Sequence, residues 1–376
     1  MPVVQANGLD INYRIDGSGP ETVLLINGVG DDLEGWALQR EEFAAAGFRV
    51  VTFDNRGSGG SSHPAGPYRS QQMAVDTKGL VDALQIAPLH LVGVSMGGVI
   101  AQEYAATYPD DLRSVVLANT FAAPDPFTYA AFESWALIAQ MAGMPVMMRQ
   151  QAPWVFSSYF YESQPEKLVE FLTEMDRTTQ PASSFAAQIA VLLTHDATDL
   201  LDSIQTPALV IASADDIIIK PALSYILFEA LPCATWEMIP GGHATFLEDP
   251  AIWNQTVLEF INRHRGEDHQ SSAESPAEEA RAEAGAPAEE GPAQAEAPAE
   301  GVPAQAEALA EAPAEGVPAQ AGALAEEVPA QAEAPAEAPA EEGPAQAEAP
   351  AEAEAPAEGR AEEGRIEQRA EVPTDQ

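Results

Sequence analysis

Residues 89–101 read LHLVGVSMGGVIA, and the organisation of the whole chain follows from this segment. Its first half, Leu89–Val94, is the short apolar run that is typical of a buried parallel strand. Gly93–Gly97 then match the pattern G-x-S-x-G, and apolar residues continue at helical spacing up to Tyr104. A side chain in place of either outer glycine would clash in so tight a turn, so the glycines let Ser95 stand above the sheet edge. We predict that Ser95 is a nucleophile, although an ordinary serine in a glycine-rich turn would give the same letters.

The composition changes abruptly near Arg265. The residues before this point are rich in aliphatic and aromatic side chains, and their number suits one α/β domain. From Gly266 onward there is no Trp, Tyr or Phe, and Ala, Glu and Pro dominate. Frequent proline interrupts helices, and little can be buried without aromatic residues. We predict one domain at 1–265 and a low-complexity, disordered tail at 266–376. The tail is either a solubilising or partner-binding arm or irrelevant to catalysis.

The charge and the cysteine count limit the partners and the compartment. The formal net charge is −42, and the tail carries −24 of it. An acidic chain is not expected to bind nucleic acid or anionic membranes. The one cysteine, Cys233, cannot form an internal disulfide, which suits a reducing cytoplasm. The N-terminus resembles a strand rather than a signal peptide, and no apolar run is long enough to span a membrane. We expect a cytoplasmic protein without a membrane span, and the oligomeric state does not follow from the sequence.

Predicted strands and helices alternate along the first domain. Strands are predicted at 3–5, 9–15, 22–26, 48–53, 89–94, 114–118, 208–212 and 235–239, and helices at 38–46, 71–84 and 252–263, besides the one after Ser95. This alternation predicts an α/β fold with a mostly parallel central sheet and helices on both faces. Ligands of such sheets bind at the carboxyl ends of the strands.

The alternation stops between about 121 and 201, where no strand is predicted. This segment is rich in aromatic residues and methionine, which indicates a helical cap over the carboxyl edge of the sheet. Its apolar side chains could line a substrate pocket or pack the cap against the core, and we expect both. Trp135, Met144 and Phe156 are the candidates for substrate binding.

Four segments resemble the α/β-hydrolase superfamily, in the order that the family has. They are NGVG at 27–30, DNRGSGGS at 54–61, GVSMGG at 93–98 and GGHATFLEDP at 241–250. The first two also resemble 3-oxoadipate enol-lactonase-like hydrolases and their esterase relatives. The resemblance implies an α/β-hydrolase fold and a serine hydrolase. No His/Cys/Asp cluster has metal-ligand spacing, so we expect neither a metal nor a cofactor.

A serine nucleophile needs a base and an acid. His243 is the best base among the histidines, because it follows a strand and two glycines that let its loop approach Ser95. The acid should follow the strand at 208–212, where Asp215 and Asp216 are adjacent. Similarity to the family's G-x-x-D places the acid on Asp216, with Asp215 as the alternative. The order Ser, Asp, His is the one expected for this fold.

Two backbone N–H groups are expected to bind the oxyanion of the tetrahedral intermediate. They belong to Met96, directly after the nucleophile, and to Val29, in the loop after the third strand. Asn27 stands where the family more often has histidine, and its side chain is expected to stabilise this loop. Arg56 could clamp a substrate carboxylate or brace neighbouring loops, and the family pattern favours bracing.

These residues predict hydrolysis of a neutral or weakly charged carboxylic ester or lactone with an apolar acyl side, through an acyl-enzyme. The predicted cap holds few cations, which disfavours a dianionic substrate. Two alternatives use the same three residues: a cofactor-free haloperoxidase or perhydrolase, and a C–C bond hydrolase. A binding protein on this scaffold would keep the pocket but would need no triad.

Overall fold

The domain is built on one twisted sheet. A computed structural model describes residues 2–175 and 178–266. Its strands are β1 (Val3–Ala6), β2 (Leu9–Asp16), β3 (Thr22–Ile26), β4 (Arg49–Phe53), β5 (Leu89–Val94), β6 (Leu112–Ala118), β7 (Ala208–Ser213) and β8 (Ala234–Ile239). They lie in the order β1-β2-β4-β3-β5-β6-β7-β8. The β1–β2 and β2–β4 pairs are antiparallel and the other pairs are parallel, which confirms the predicted sheet.

Helices fill the connections between the strands. They are α1 (Ala37–Ala45), α2 (Ser70–Leu84), α3 (Met96–Thr107), α4 (Pro126–Ala142), α5 (Met144–Val155), α6 (Ser158–Ser163), α7 (Pro165–Met175), α8 (Ala182–Thr194), α9 (Pro221–Ala230), α10 (Thr245–Glu248) and α11 (Pro250–Arg263). Short 3₁₀ turns lie at Leu33–Trp36, Pro109–Asp111 and Leu201–Ser203. Helix α9 was not predicted, although the proline at its first position is a usual helix start. Helices α4 to α8 lie between β6 and β7, which confirms a helical cap in this region.

The turn from β5 into α3 has room only for glycine. Ser95 has φ 56° and ψ −118°, a conformation that L-residues rarely adopt. A Cβ atom on Gly93 would lie 2.2 Å from the carbonyl oxygen of Gly97, and one on Gly97 would lie 2.1 Å from that of Ile26. Both obstacles are backbone atoms, which cannot swing aside. The steric reason predicted for these glycines therefore holds in the structure.

Apolar packing holds the sheet between two helical layers. Every residue of β3 and β5 is buried, as expected for central strands covered on both faces. Helices α1 and α11 pack against each other, and the rings of Phe43 and Trp253 stack with centroids 6.3 Å apart. Helices α2 and α3 form another packed pair. This rigid core carries the loops at the carboxyl edge.

The sequence analysis also predicts that the chain has no membrane span and that its tail is disordered. Within 2–175 and 178–266, none of the helices combines the length and the apolar character that crossing a bilayer requires. The predicted disordered tail, residues 266–376, lies outside the described residues from 267 onward.

Replacing Gly97 with alanine is expected to destabilise the domain by about 1–3 kcal/mol, because the new methyl group meets backbone. Alanine's better helix propensity recovers at most about 1 kcal/mol and does not offset the clash. Urea unfolding followed by circular dichroism measures the change. Gly35→Ala is the control, since nothing lies within 4 Å of its added Cβ, and its effect should stay within about 0.5 kcal/mol. Equal unfolding midpoints for the two variants would contradict the steric explanation.

Candidate active site

Loops from five neighbouring strands meet at the carboxyl edge of the sheet. The parallel register aligns Ile26 of β3 with Gly93 of β5, and Ala118 of β6 with Val94 on one side. It aligns Ile211 of β7 with Ala118 on the other side, and β8 follows next to β7. The residues that come directly after these strands are therefore brought together, although they are far apart in the sequence.

A short hydrogen bond joins the predicted acid to the predicted base. The Oδ2 atom of Asp216 lies 2.7 Å from Nδ1 of His243. The Asp216 side chain is fully buried, and its Oδ1 atom accepts the backbone N–H groups of Ile218 (3.0 Å) and Ile219 (2.8 Å). The amide of Asn119 donates to Oδ2 at 3.0 Å. These donors fix the carboxyl group behind the imidazole ring.

Asp215, the alternative acid, has a different position. Its side chain is exposed to solvent, and its backbone N–H donates to the carbonyl oxygen of Gly241 at 2.9 Å. The structure thus brings Asp216, and not Asp215, to His243.

Ser95 and His243 line the same inner cavity, which has a volume of about 50 Å³. No hydrogen bond joins these two described residues, a looseness that is common before substrate binds. Most of the remaining lining is apolar. It consists of Gly28, Val29, Asp31, Val94, Trp135, Gln151, Val155, Phe156, Met175, Ala244, Phe246 and Leu247.

Two backbone N–H groups beside Ser95 are available to a ligand. The N–H groups of Val29 and Met96 donate no hydrogen bond to any group within 2–175 and 178–266. Both residues are buried, and Val29 lines the inner cavity. Met96 is the first residue of α3, so the positive end of the helix dipole adds to its donor. The arrangement can bind an oxyanion next to the serine.

The cap holds the loop that carries Val29. The N–H of Gly30 donates to Oε1 of Gln188, a fully buried residue of α8, at 3.2 Å. The Nε2 atom of Gln188 donates to the carbonyl oxygen of Arg56 and to the Ser58 hydroxyl, each at 2.9 Å. Gln188 was not identified from the sequence. The signal was a single glutamine within the otherwise apolar second half of α8.

A second buried side chain joins the cap to the histidine loop. The carboxylate of Glu248 accepts the N–H (2.6 Å) and the hydroxyl (2.7 Å) of Ser157, which caps α6. It also accepts the N–H of Gly242, directly before His243, at 3.2 Å. This carboxylate therefore fixes both the position of the imidazole and the entry of the chain into α6.

The three cap residues predicted to bind substrate have different positions. Trp135 and Phe156 line the inner cavity, whereas Met144 does not and is buried within the cap. Gln151 and Val155 of the same helix, α5, reach the cavity. Met144 lies on the same helical face as Gln151 but about 10 Å further along the axis. Met144 has the apolar side chain expected of a pocket residue, but it lies too far along α5 to line the cavity.

Two expectations about the loops have different outcomes. Arg56 is buried and pairs with Asp76, with Nη2 2.7 Å from Oδ1, and it does not line the inner cavity. It ties its own loop to helix α2, whose Asp76 also accepts a hydrogen bond from Asn7 in the β1–β2 turn at 2.6 Å, a bracing role rather than a substrate clamp. The buried Nδ2 atom of Asn27 has no hydrogen-bond partner among the described residues, so the expected stabilising contact from this nitrogen is not formed.

Asp31 is a cavity residue that the sequence analysis did not identify. It directly follows the NGVG segment and is partly buried. Burial raises the pKa of its carboxyl to about 7, and the neighbouring Asp32 adds to the rise while His243 opposes it. In the described part of the chain, no three His, Cys, Asp or Glu side chains are grouped so that they could hold a metal ion.

Comparison with known proteins agrees with this geometry. Residues 21–250 match the family described by the alpha/beta hydrolase fold. The chain belongs to the α/β-hydrolase family. Two relatives of this α/β hydrolase illustrate the range of names in the family. It is 31% identical to 3-oxoadipate enol-lactonase 2 of Acinetobacter baylyi, over 69% of this chain and 95% of the relative. It is 30% identical to a putative carbamate hydrolase RutD of Caulobacter segnis, over 67% and 96%.

A solved structure also resembles this α/β hydrolase. It is a thermophilic esterase from Thermogutta terrifontis, with a TM-score of 0.65 and 28% identity. The similarity covers 71% of this chain and the whole of the esterase. Lactonase, carbamate hydrolase and esterase are thus names given to relatives of similar distance.

Replacing Asp31 with asparagine should stabilise this α/β hydrolase more at pH 8 than at pH 5. The folded state raises the pKa of this carboxyl from 3.8 to about 7, so ionisation opposes folding increasingly as the pH rises through this range. Each 1 kcal/mol of relief should raise the melting temperature by about 2–4 °C. Differential scanning calorimetry at both pH values measures the change. Exposed Asp215→Asn is the control and should show no such pH dependence. An equal shift at both pH values for Asp31→Asn would contradict the burial argument.

Proposed function

We propose that the protein is a serine hydrolase that cleaves a small carboxylic ester or lactone through an acyl-enzyme on Ser95. In this proposal His243 is the base, Asp216 is the acid behind it, and the N–H groups of Val29 and Met96 form the oxyanion hole. No metal or cofactor takes part. Membership of the α/β-hydrolase family supports the general class.

One observation carries the proposal: an imidazole held by a buried carboxylate lines the same cavity as a strained serine and as Val29, whose N–H donates to no described group. The 2.7 Å contact between Asp216 and Nδ1 of His243 leaves Nε2 as the atom that can accept a proton. A pocket that only bound a ligand would require neither this order of partners nor the unusual backbone of Ser95. This favours an enzyme over a binding protein on the same scaffold.

Acylation follows from these positions. The Ser95 hydroxyl oxygen attacks the carbonyl carbon while Nε2 of His243 accepts the hydroxyl proton. The negative charge that develops on the carbonyl oxygen is bound by the N–H groups of Val29 and Met96, which are fixed before the reaction. When the tetrahedral intermediate collapses, the C–O bond to the leaving alcohol breaks, and His243 returns the proton to that alcohol.

Deacylation repeats the same steps with water. His243 accepts a proton from water as its oxygen attacks the acyl carbon, and then protonates the Ser95 oxygen as the acid is released. With a lactone, the leaving alcohol stays attached to the acyl chain, so the product is a single hydroxy acid. The same groups thus serve an ester and a lactone without further machinery.

The cavity supports a substrate that is apolar and not anionic at its acyl end. Trp135, Val155 and Phe246 supply apolar walls, and Arg56 is occupied by Asp76. No lysine or arginine within 2–175 and 178–266 lines the inner cavity, whereas Asp31 does. A dicarboxylate lactone would therefore meet an acid and no cation. The names of the relatives, lactonase, carbamate hydrolase and esterase, agree on acyl transfer but differ on substrate.

Ser95→Ala is expected to abolish turnover of p-nitrophenyl acetate above the solution rate. Asp216→Asn should lower kcat by about 10³–10⁴-fold, because an amide neither holds the imidazole tautomer nor stabilises the imidazolium. Asp215→Asn, the matched control, should stay within about twofold of the wild type. Initial rates at 405 nm measure all three variants. Turnover by Ser95→Ala at the wild-type rate would refute the serine mechanism, and equal losses in both aspartate variants would refute the role of Asp216.

Short acyl chains should be preferred, because the inner cavity holds only about 50 Å³. We expect kcat/KM for p-nitrophenyl acetate or butyrate to exceed that for the octanoate at least about tenfold. Trp135→Ala should enlarge the cavity and reduce this ratio, whereas Met144→Ala, which removes a buried cap residue outside the lining, should preserve it. A chain-length profile in which both variants move alike would show that Trp135 does not bound the acyl site.

A further inference from the structure

A second cavity adjoins the catalytic one, and Asp31 belongs to both. The outer cavity has a volume of about 430 Å³ and shares Asp31, Met175 and Leu247 with the inner one. The three shared residues mark the place where the two cavities meet. A substrate whose scissile carbonyl is at Ser95 therefore lies in a cavity that Asp31 lines, and Asp31 also lines the space beyond it.

The carboxyl group of Asp31 is close to the reacting atoms. A point one bond from Gly28 Cα, where a Cβ atom would stand, is 3.5 Å from Cβ of Ser95 and 3.6 Å from Oδ2 of Asp31. Gly28 has no side chain, so the space between the nucleophile and the carboxyl is open. A group that is only a few bonds from the scissile carbonyl can therefore reach Asp31.

Asp31 has no structural role that would explain an acid at this position. Neighbouring acids are used by the fold: Asp54 accepts the N–H groups of Leu33 and Gly60 at 2.7 Å, and Asp32 accepts that of Glu34 at 2.9 Å. No group within 2–175 and 178–266 donates a hydrogen bond to the Asp31 side chain. A carboxyl group that accepts no hydrogen bond from the described residues and lines a cavity is available to bind a ligand.

The surroundings of Asp31 disfavour an ionised carboxyl group beside a neutral substrate. Burial and Asp32 both disfavour its ionised form, His243 opposes them, and no described lysine or arginine lines the inner cavity. An ionised Asp31 would also oppose the negative charge that develops on the substrate carbonyl nearby. A positive charge on the substrate reverses both effects. It stabilises the carboxylate of Asp31, and it offsets the repulsion between this carboxylate and the oxyanion.

We propose that Asp31 is a specificity-determining residue that binds an ammonium group, carried by the substrate a few bonds from its scissile ester carbonyl. This inference rests on the proposed function and assigns the class of substrate: esters of amino or quaternary-ammonium alcohols. Phe156 also lines the inner cavity, and an aromatic ring suits an alkylammonium group.

A pair of isosteric thioesters tests the proposal in the full-length protein. Acetylthiocholine carries a quaternary nitrogen, and 3,3-dimethylbutyl thioacetate has carbon in its place. We expect the wild type to favour the cationic ester in kcat/KM by about tenfold or more. Asp31→Asn should bring the ratio of the two values close to one. Asp32→Asn removes the same charge from the same loop and should leave the ratio within about twofold of the wild type.

Two results would overturn the proposal. The first is that the wild type shows no preference for acetylthiocholine. The second is that the ratio of the two kcat/KM values changes equally in Asp31→Asn and Asp32→Asn, which would indicate only the overall negative potential of this loop. Thermal unfolding shows whether each variant is folded, and Asp31→Ala replaces Asp31→Asn if the latter is not. With either variant, loss of the preference is the supporting outcome and its retention is the contradicting one.

Binding to the Ser95→Ala protein separates this proposal from the proposed function. Titration calorimetry with the two thioesters reports recognition without turnover. If the wild type hydrolyses neither these thioesters nor p-nitrophenyl acetate, but Ser95→Ala binds acetylthiocholine more tightly and Ser95→Ala/Asp31→Asn does not, the hydrolase proposal fails and Asp31 remains the cation site. If both esters are hydrolysed through Ser95 at equal kcat/KM and bind equally, the hydrolase proposal stands and the role of Asp31 is refuted.

Discussion

The backbone turn at Ser95 is the constraint on which the site depends. It is so tight that position 97 must lack a side chain to pass the carbonyl oxygen of Ile26, at the end of β3. This close approach brings the loop after β3, with Val29, against the start of α3. On the other side, the Thr120 hydroxyl after β6 donates to the carbonyl oxygen of Ser95 at 2.9 Å. Ser95 and the N–H groups of Val29 and Met96, which we propose as the oxyanion donors, are thus positioned by backbone contacts.

Polar side chains, rather than apolar packing alone, join the cap to the catalytic edge. Gln188 reaches from α8 to the backbone of Gly30 and Arg56, and it is fully buried. An apolar contact tolerates sliding, whereas a buried amide with four hydrogen-bond partners specifies one position. The geometry of the loop that carries Val29 is therefore set partly by Gln188, which is more than a hundred positions away in the sequence.

Sequence periodicity predicted the sheet and the helical cap, and the glycine-containing motifs at 93–98 and 241–250 predicted that Ser95 and His243 lie together, because these features depend on local patterns. Choices that depend on three-dimensional position did not follow from local patterns. Asp215 and Asp216 are adjacent and identical in type, and only the turn after β7 determines which one faces His243. Met144 has a side chain typical of pocket residues but lies too far along α5 to line the inner cavity. Asp31 gave no signal, since an acid in a loop is ordinary until the loop is seen to border a cavity.

Glu248 couples the position of the cap to the position of His243. One carboxylate holds both the start of α6 and the residue before His243. A displacement of this corner of the cap would therefore also release the loop before His243, so in the proposed mechanism the aim of the base depends on the cap being seated.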